Sequence, residues 1–149
     1  MQIPEAFRDN YLFRGLTAKS IDDIMAVTAT RSFSGGDTII RQFGDDLDIM
    51  VMLKGLAQVK AFSGEVIAEV GPGFVLGEVS LIDDAPRSAT VVSKGPSEVA
   101  VINGDKLRAL LGKDVGMRAV MFENLAKLLC VRLRVANVHL DAMPAGARR

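Results

Sequence analysis

The sequence is poor in the residues that build disulfides and metal centres. Its 149 residues contain one cysteine, Cys130, one histidine, His139, and no tryptophan. A single cysteine cannot form an internal disulfide, which is typical of a protein from a reducing compartment. One cysteine and one histidine also fall short of the ligand sets of zinc centres. We therefore expect no metal and no cofactor, and we expect Cys130 to be a small buried apolar side chain.

The sequence also lacks an excess of charge and a long apolar run. Its 18 basic and 18 acidic residues give a net charge of zero, so no global attraction to nucleic acid or to an anionic membrane is expected. The longest apolar stretch, residues 49–59, is interrupted by Lys54 and falls short of the roughly 18 residues of a membrane span. Residues 1–5 do not resemble a secretory signal. Length and composition predict one soluble, cytoplasmic domain over residues 1–149.

The hydrophobic pattern changes from helical to strand-like near residue 31. Residues 5–29 carry apolar side chains three to five positions apart, which predicts N-terminal helices, with Thr17 as an N-cap. Residues 31–102 carry short β-prone runs separated by glycine-containing turns, at intervals of about 8–12 residues. This spacing favours an antiparallel barrel, roll or sandwich over a βαβ sheet, and a β-roll most of all. The expected strands are 38–40, 49–53, 57–62, 66–70, 90–92 and 99–102.

Helical periodicity returns in the last third of the chain. Asp105 is expected to cap a helix over residues 106–111, which Gly112 ends. A long helix then runs from about residue 117 to about residue 140, so that the C-terminal helices occupy 105–140, and residues 142–149 are expected to form a flexible tail. The predicted fold class is α+β: an antiparallel, jelly-roll-like β-roll with N-terminal helices and two C-terminal helices.

The segment from residue 71 to residue 90 carries the chemistry of the chain. Gly77 and two nearby glycines allow tight turns and a close approach of the backbone to a ligand. Residues 78–81 are expected to form a single helical turn within this loop. The free amides at the start of such a turn, near Val79 and Ser80, make an anion site.

Three polar side chains extend this anion site toward a nucleotide. Arg87 follows a proline and can clamp a phosphate with two parallel hydrogen bonds, and the hydroxyl of Ser88 stands beside it. An acid, Glu78, is out of place in a pocket for phosphate alone. It is explained if its carboxylate accepts a hydrogen bond from a sugar hydroxyl, as acidic residues do in dinucleotide sites. A phosphate and a ribose held by one loop indicate a nucleotide.

The same segment resembles the phosphate-binding cassette of cyclic nucleotide-binding domains, the β-roll modules of catabolite activator proteins, protein kinase A regulatory subunits and nucleotide-gated channels. The resemblance is carried by LGEVSL at residues 76–81 and PRSAT at residues 86–90. The nine-residue step from Glu78 to Arg87 is similar to the kinase and channel versions. Leu76 stands where the family usually has Phe, and Val79 where Leu or Met is commoner. FRGL at residues 13–16 and the turn glycines extend the resemblance over nearly the whole chain.

The resemblance implies a role for each residue of the cassette. Arg87 would pair with the cyclic phosphate, Ser88 and the backbone at Gly77 would complete its coordination, and Glu78 would bind the ribose 2′-hydroxyl. The implied ligand-binding residues are Gly77, Glu78, Val79, Ser80, Arg87, Ser88 and Ala89. The base would lie against Val59 or Ala61. The lid candidates are Arg132, Leu133 and Arg134. Ser88 favours cyclic AMP, and cyclic GMP remains the alternative.

These features predict a cyclic nucleotide sensor that repositions its last helix when the ligand binds. One alternative is a protein-interaction module whose ligand site has decayed or changed. Another is a fragment of a DNA-binding regulator without its helix-turn-helix, since only nine residues follow Leu140. Catalysis is not expected, because hydrolysis of the nucleotide would need metal ligands or an acid–base pair.

The partners of the module are less well defined by its sequence. The long helix has two apolar stripes, one of which includes Leu125 and Leu128 and the other Leu129 and Leu133. If one stripe packs on the roll and the other on a second copy, the protein is a homodimer. A single wide apolar face on a monomer is the alternative. An effector protein is expected but not identified, and neither nucleic acid nor membrane is expected as a direct partner.

Overall fold

Eight strands form two antiparallel sheets in the computed structural model, which describes residues 3–44, 46–83, 87 and 89–141. The strands are β1 (Thr28–Phe33), β2 (Thr38–Ile40), β3 (Ile49–Lys54), β4 (Ala57–Lys60), β5 (Val66–Val70), β6 (Val75–Leu76), β7 (Thr90–Ser93) and β8 (Ser97–Ile102). One sheet has the order β1-β8-β3-β6 and the other β2-β7-β4-β5. The antiparallel β-roll predicted from turn spacing is confirmed.

Helices precede the roll, interrupt it and follow it. They are two 3-10 helices (Glu5–Asp9 and Tyr11–Phe13), α1 (Ala18–Ala26), α2 (Glu78–Asp83), α3 (Gly104–Lys113) and α4 (Val115–Asp141). The side chain of Thr17 caps α1 by accepting a hydrogen bond of 3.1 Å from the amide of Ser20. In the part of the chain that the structure describes, no helix combines the length and the apolarity of a membrane span.

The structure corrects two predicted boundaries of the roll. Thr28 and Ala29 belong to β1, where they pair with the end of β8, so the N-terminal helical region ends before residue 29. β4 stops at Lys60, because residues 61–65 form a tight turn in which Gly64 adopts φ +86°. The short strand β6 was not predicted, since two residues between glycines show no periodicity.

The predicted limits of the first C-terminal helix were also wrong. Asn103, and not Asp105, caps α3, since its side chain accepts a 3.0 Å hydrogen bond from the amide of Lys106. Gly112 lies inside α3, which continues to Lys113. Residues 142–149, predicted to be a flexible tail, lie outside the described part of the chain.

The central strands are buried on both faces, so the fold has two apolar cores. In β3, Met50 and Met52 point into the roll, whereas Ile49 and Val51 pack against the helices. Alternate side chains of a strand point to opposite faces, so a strand between two cores is continuously apolar. The helical core also contains Met117, Met121 and Leu125, one turn apart on α4. This packing fixes the first half of α4 on the roll.

Candidate ligand-binding site

A cavity of about 1080 Å³ lies between the second sheet, α2 and the second half of α4. This volume is close to the upper limit for pockets that bind small organic ligands. Most of its wall is apolar, and its charged side chains among the described residues are Glu69, Glu78, Arg87 and Arg132. The apolar lining includes Ile40, Val59, Ile67, Val70, Phe74, Leu76, Val91, Leu128, Val131 and Val135.

Arg87 lies at the floor of this cavity and is almost fully buried, with 2% of its side chain exposed. Its Nη1 donates to the carbonyl oxygen of Gly77 at 3.0 Å. Its Nη2 donates to Asp46 Oδ1 and to the carbonyl oxygen of Asp48, each at 2.6 Å. Its Nε has no hydrogen-bond partner among the described residues. The guanidinium is therefore fixed in position and retains one buried donor.

Gly77 is required beside this arginine for a steric reason. Its φ of +82° is disfavoured for residues with a side chain. A Cβ atom at this position would also lie 2.9 Å from the carbonyl oxygen of Asp48 and 3.1 Å from Cζ of Arg87. The turn from β6 into α2 can therefore pass over the guanidinium only if residue 77 has no side chain.

Glu78, the first residue of α2, is a buried acid on the cavity wall, with 5% of its side chain exposed. Its Oε1 accepts a hydrogen bond from Nη1 of Arg132, a residue of α4. Nη2 of Arg132 donates to the carbonyl oxygen of Val75 at 2.6 Å, and the guanidinium lies 4.4 Å from the ring centroid of Phe74. One side chain thus connects α4 to both strand β6 and helix α2.

Tyr11, from the second 3-10 helix, lines the cavity next to this ion pair. Burial raises the pKa of its hydroxyl above the ordinary 10.0, although the positive charge of Arg132 and the backbone of Val75 oppose the shift. The hydroxyl therefore stays protonated at neutral pH. The same 3-10 segment is tied to α4, because Nδ2 of Asn124 donates to the carbonyl oxygens of Leu12 and Arg14, each at 2.9 Å.

The structure brings most of the predicted site residues together. Gly77, Glu78, Val79, Arg87 and Ala89 line the cavity, as do the base candidate Val59 and the lid candidate Arg132. Ser88 and the side chain of Ser80 lie outside the described part of the chain.

Three of the predicted base and lid residues lie elsewhere. Ala61 belongs to the turn after β4 and is not part of the cavity wall. Leu133 and Arg134 are exposed and point away from the cavity, because successive residues of a helix turn by about 100° and Arg132 already faces it. The burial expected for Cys130 was also wrong, since this residue is exposed on α4.

Several residues of the site were not predicted from the sequence. Asp46 and Asp48, which hold Arg87, lie outside the cassette motif and were not among the predicted site residues. Tyr11 and Phe74 have no motif of their own and were missed for that reason. One signal in the sequence could have suggested Asp46: it is an acidic residue close to the turn that precedes the buried strand β3. In the described ranges no three His, Cys, Asp or Glu side chains are grouped as for a metal ion.

Comparison with known proteins identifies the family to which this site belongs. The profile of the cyclic nucleotide-binding domain matches residues 30–114, more than half of the chain. The Cyclic AMP receptor protein of Thermus thermophilus is 30% identical in an alignment 138 residues long, which covers 89% of this chain and 61% of that protein. The chain therefore spans less than two thirds of the length of this curated relative.

Solved structures give the same result. A candidate cyclic nucleotide-binding protein from Geobacter metallireducens GS-15 has a TM-score of 0.79 and 27% identity, over 89% of this chain and 99% of that one. The regulatory domain of Toxoplasma gondii PKA, solved with cAMP, has a TM-score of 0.65 and 25% identity, over 73% of this chain and 46% of that one. With its phosphate-cassette sequence, β-roll and cavity, the chain belongs to the cyclic nucleotide-binding domain family.

Proposed function

We propose that this chain is a sensor of cyclic AMP in which ligand binding closes α4 over the cavity. The observation that carries the proposal is the placement of a buried cation and a buried anion, Arg87 and Glu78, on one largely apolar cavity. A cyclic nucleotide has the matching parts: an anionic phosphate, a ribose hydroxyl and an apolar, aromatic base.

The phosphate is expected to bind at Arg87. Burial in low dielectric strengthens a guanidinium–phosphate contact, and the backbone carbonyls of Gly77 and Asp48 already hold the group in place. Asp46, whose side chain is 54% exposed, is the carboxylate that can yield to the phosphate. The unpartnered Nε supplies a further donor. Little reorganisation is then needed on binding, which favours affinity.

The ribose and the lid are expected to meet at Glu78. A carboxylate has about four acceptor positions, so Glu78 can accept from the ribose 2′-hydroxyl while it keeps the bond to Arg132. A partly exposed ion pair stabilises α4 only weakly by itself. Val131 and Val135 are 56% and 64% exposed. A base bound beneath them would bury part of this apolar surface and so stabilise the closed position of α4. The ligand would thus shift the population toward the closed lid.

We propose cyclic AMP, and not cyclic GMP, as the ligand on two grounds. Ser88 follows Arg87, and serine at this position favours adenine in this family. The Thermus relative is named as a cyclic AMP receptor, and the Toxoplasma domain was solved with cAMP. Binding and not catalysis is proposed, because Arg87 and Glu78 offer a cation for the phosphate and an acceptor for the ribose hydroxyl.

Calorimetry with cyclic AMP and cyclic GMP tests the ligand. The wild type is expected to bind cyclic AMP at micromolar concentration, and Arg87→Ala to lose the binding. Arg134→Ala, which removes an exposed arginine outside the cavity, is the matched control and is expected to bind as the wild type does. If the folded wild type binds neither nucleotide, the proposed sensor function is wrong and the alternative of a protein-interaction module is favoured.

The position of Cys130 allows a direct test of the lid. It is the one cysteine of the sequence and is exposed on α4, two residues before Arg132. An environment-sensitive fluorophore attached there is expected to change its emission on addition of cyclic AMP. The emission should not change when cyclic AMP is added to labelled Arg87→Ala. An unchanged signal in a wild type that binds cyclic AMP would contradict the proposed closure.

A homodimer through α4 is proposed as the quaternary state. Leu133 is 62% exposed and lies on the side of α4 away from the cavity, with Leu129 half-buried one turn before it. A second copy would remove this apolar surface from water. Size-exclusion chromatography with light scattering should show a dimer for the wild type and a monomer for Leu133→Asp. A monomeric wild type would favour the single-face alternative.

A further inference from the structure

Two phenylalanine side chains meet on the surface of the β-roll close to Arg87. The rings of Phe43 and Phe62 are 6.2 Å apart between centroids and are inclined by 65°, an edge-to-face arrangement. Phe43 is 67% exposed and Phe62 is 81% exposed. Such large exposed aromatic side chains contribute little to either apolar core, so their contact calls for another explanation.

The backbone of Phe43 is in direct contact with the backbone of the phosphate arginine. Its amide donates to the carbonyl oxygen of Arg87 at 2.9 Å, and the amide of Arg87 donates to the carbonyl oxygen of Gly44, also at 2.9 Å. Phe43 adopts φ +65° and is the one non-glycine residue with positive φ in the described ranges. A bulky residue is unfavourable in this conformation, and so the contacts on either side of it must impose it.

Phe62 belongs to the turn that joins β4 and β5. This turn is closed by hydrogen bonds from the amide of Ala61 to the carbonyl oxygen of Glu65 and from the amide of Gly64 to the carbonyl oxygen of Ala61, both 2.9 Å. The two strands that leave the turn carry Val59 and Ile67 on the wall of the cavity. A displacement of Phe62 would therefore displace a wall of the ligand cavity.

We infer that Phe43 and Phe62 form an aromatic strut that positions the β4–β5 turn relative to Arg87. The strut connects the loop that holds the phosphate arginine to the strands that form the apolar wall. Both residues are positioning residues, since neither lines the cavity. Their effect on affinity rests on the proposed binding of a cyclic nucleotide, whereas their effect on the Arg87 loop does not depend on a ligand.

Hydrogen exchange in the ligand-free protein tests the strut independently of the ligand. Phe62→Ala removes one ring without touching the strained residue, and it is expected to speed exchange at the amides of Phe43 and Arg87 by about 2- to 12-fold, the size of an edge-to-face pair. Val115→Ala, a substitution at a residue 79% exposed at the start of α4, is the control and should leave both amides unchanged. Unchanged exchange in Phe62→Ala would overturn the inference.

A double-mutant cycle on cyclic AMP affinity then tests the coupling. Phe43→Asn removes the other ring and keeps a residue that tolerates positive φ. Each single variant is expected to bind more weakly, by up to about 12-fold, and the double variant no more weakly than the singles. Additive losses would overturn the strut. A wild type without nucleotide binding would refute the proposed function, and the exchange experiment would still decide the strut.

Discussion

The two arginines of the cavity are held in different ways. Arg87 is 2% exposed and donates to two backbone carbonyls and one carboxylate, all from the roll and its loops. Arg132 is 28% exposed and reaches from the second half of α4, where side chains are largely exposed. The floor of the site is thus part of the folded core, whereas the lid is held by a few contacts. The proposed sensor requires this difference, since it needs a preorganised floor and a lid that can move.

The largest effect is expected when a methyl group is added at Gly77, next to Arg87 in the floor of the cavity. Gly77→Ala combines a positive φ with a clash against Asp48 and Arg87, whereas Gly36→Ala has a similar φ of +89° and no atom within 4 Å. Gly36→Ala is therefore the control, and it should lose about 1–2 kcal/mol of unfolding free energy. Gly77→Ala should lose about 1–3 kcal/mol more, together with nucleotide binding. Urea unfolding compares the two, and equal losses would show that the floor can relax.

The next effect concerns the point at which floor and lid meet. Glu78→Gln keeps the shape of the side chain but removes its charge, and a charge-assisted hydrogen bond contributes about 1.5–3 kcal/mol. The affinity for cyclic AMP should therefore fall by about 10- to 100-fold. The 2′-deoxy analogue is the matched control, because it lacks the hydroxyl that Glu78 is proposed to bind. If the variant weakens both ligands to the same degree, Glu78 does not recognise the ribose.

A smaller effect is expected on the lid alone. Arg132→Ala removes a partly exposed ion pair and a contact with Phe74, together about 1–2 kcal/mol. The affinity should fall by about 5- to 30-fold, mainly through faster dissociation. The ligand-free protein makes the same contacts and should also become slightly less stable. Stopped-flow measures the dissociation rate, with Arg134→Ala as the control. A slower association rate with unchanged dissociation would argue against a lid.

The smallest effect is a pH dependence. The raised pKa of Tyr11 means that the folded state holds this proton more tightly than the unfolded state does. The associated stability is complete below the ordinary value of 10.0 and is lost as the pH rises through the raised value. In urea unfolding, the free energy of unfolding of Tyr11→Phe should therefore fall less than that of the wild type as the pH rises from about 8 to above 10.0. Identical pH profiles would indicate a tyrosine with an ordinary pKa.

Much of the fold could be predicted from local patterns. Turn glycines and alternation located β2, β3, β5 and β7 to within one residue, because these features are local consequences of backbone geometry. The boundaries at Thr28 and Asn103 were missed. Each is decided by contacts with another element: Thr28 pairs with Ile102 across the sheet, and the amide of Asn103 donates to the carbonyl oxygen of Val27.

The candidate site was predicted in part for a similar reason. Gly77, Glu78 and Arg87 lie within eleven residues of one another, so a contiguous motif indicated them. Asp46, Tyr11 and Arg132 come from segments distant in sequence and meet the cassette only after the roll has closed and α4 has folded back. No spacing rule connects residue 11 to residue 78, so the place of Tyr11 in the site could not be deduced from the motif. Arg132 was predicted as a lid candidate only through the family resemblance, which did not indicate its contact with Glu78.

The sequence by itself determined the fold class and the family of this protein, and it predicted the type of ligand site. A short run with glycine, glutamate and arginine at fixed spacing predicts such a site, because the residues proposed to bind phosphate and ribose are close together in the chain. The tertiary structure decided how that chemistry is arranged. It gave Arg87 its buried acceptors and brought Arg132 to Glu78, while leaving Leu133 and Cys130 exposed. Burial and charge pairing depend on which surfaces meet, and that is a property of the whole fold.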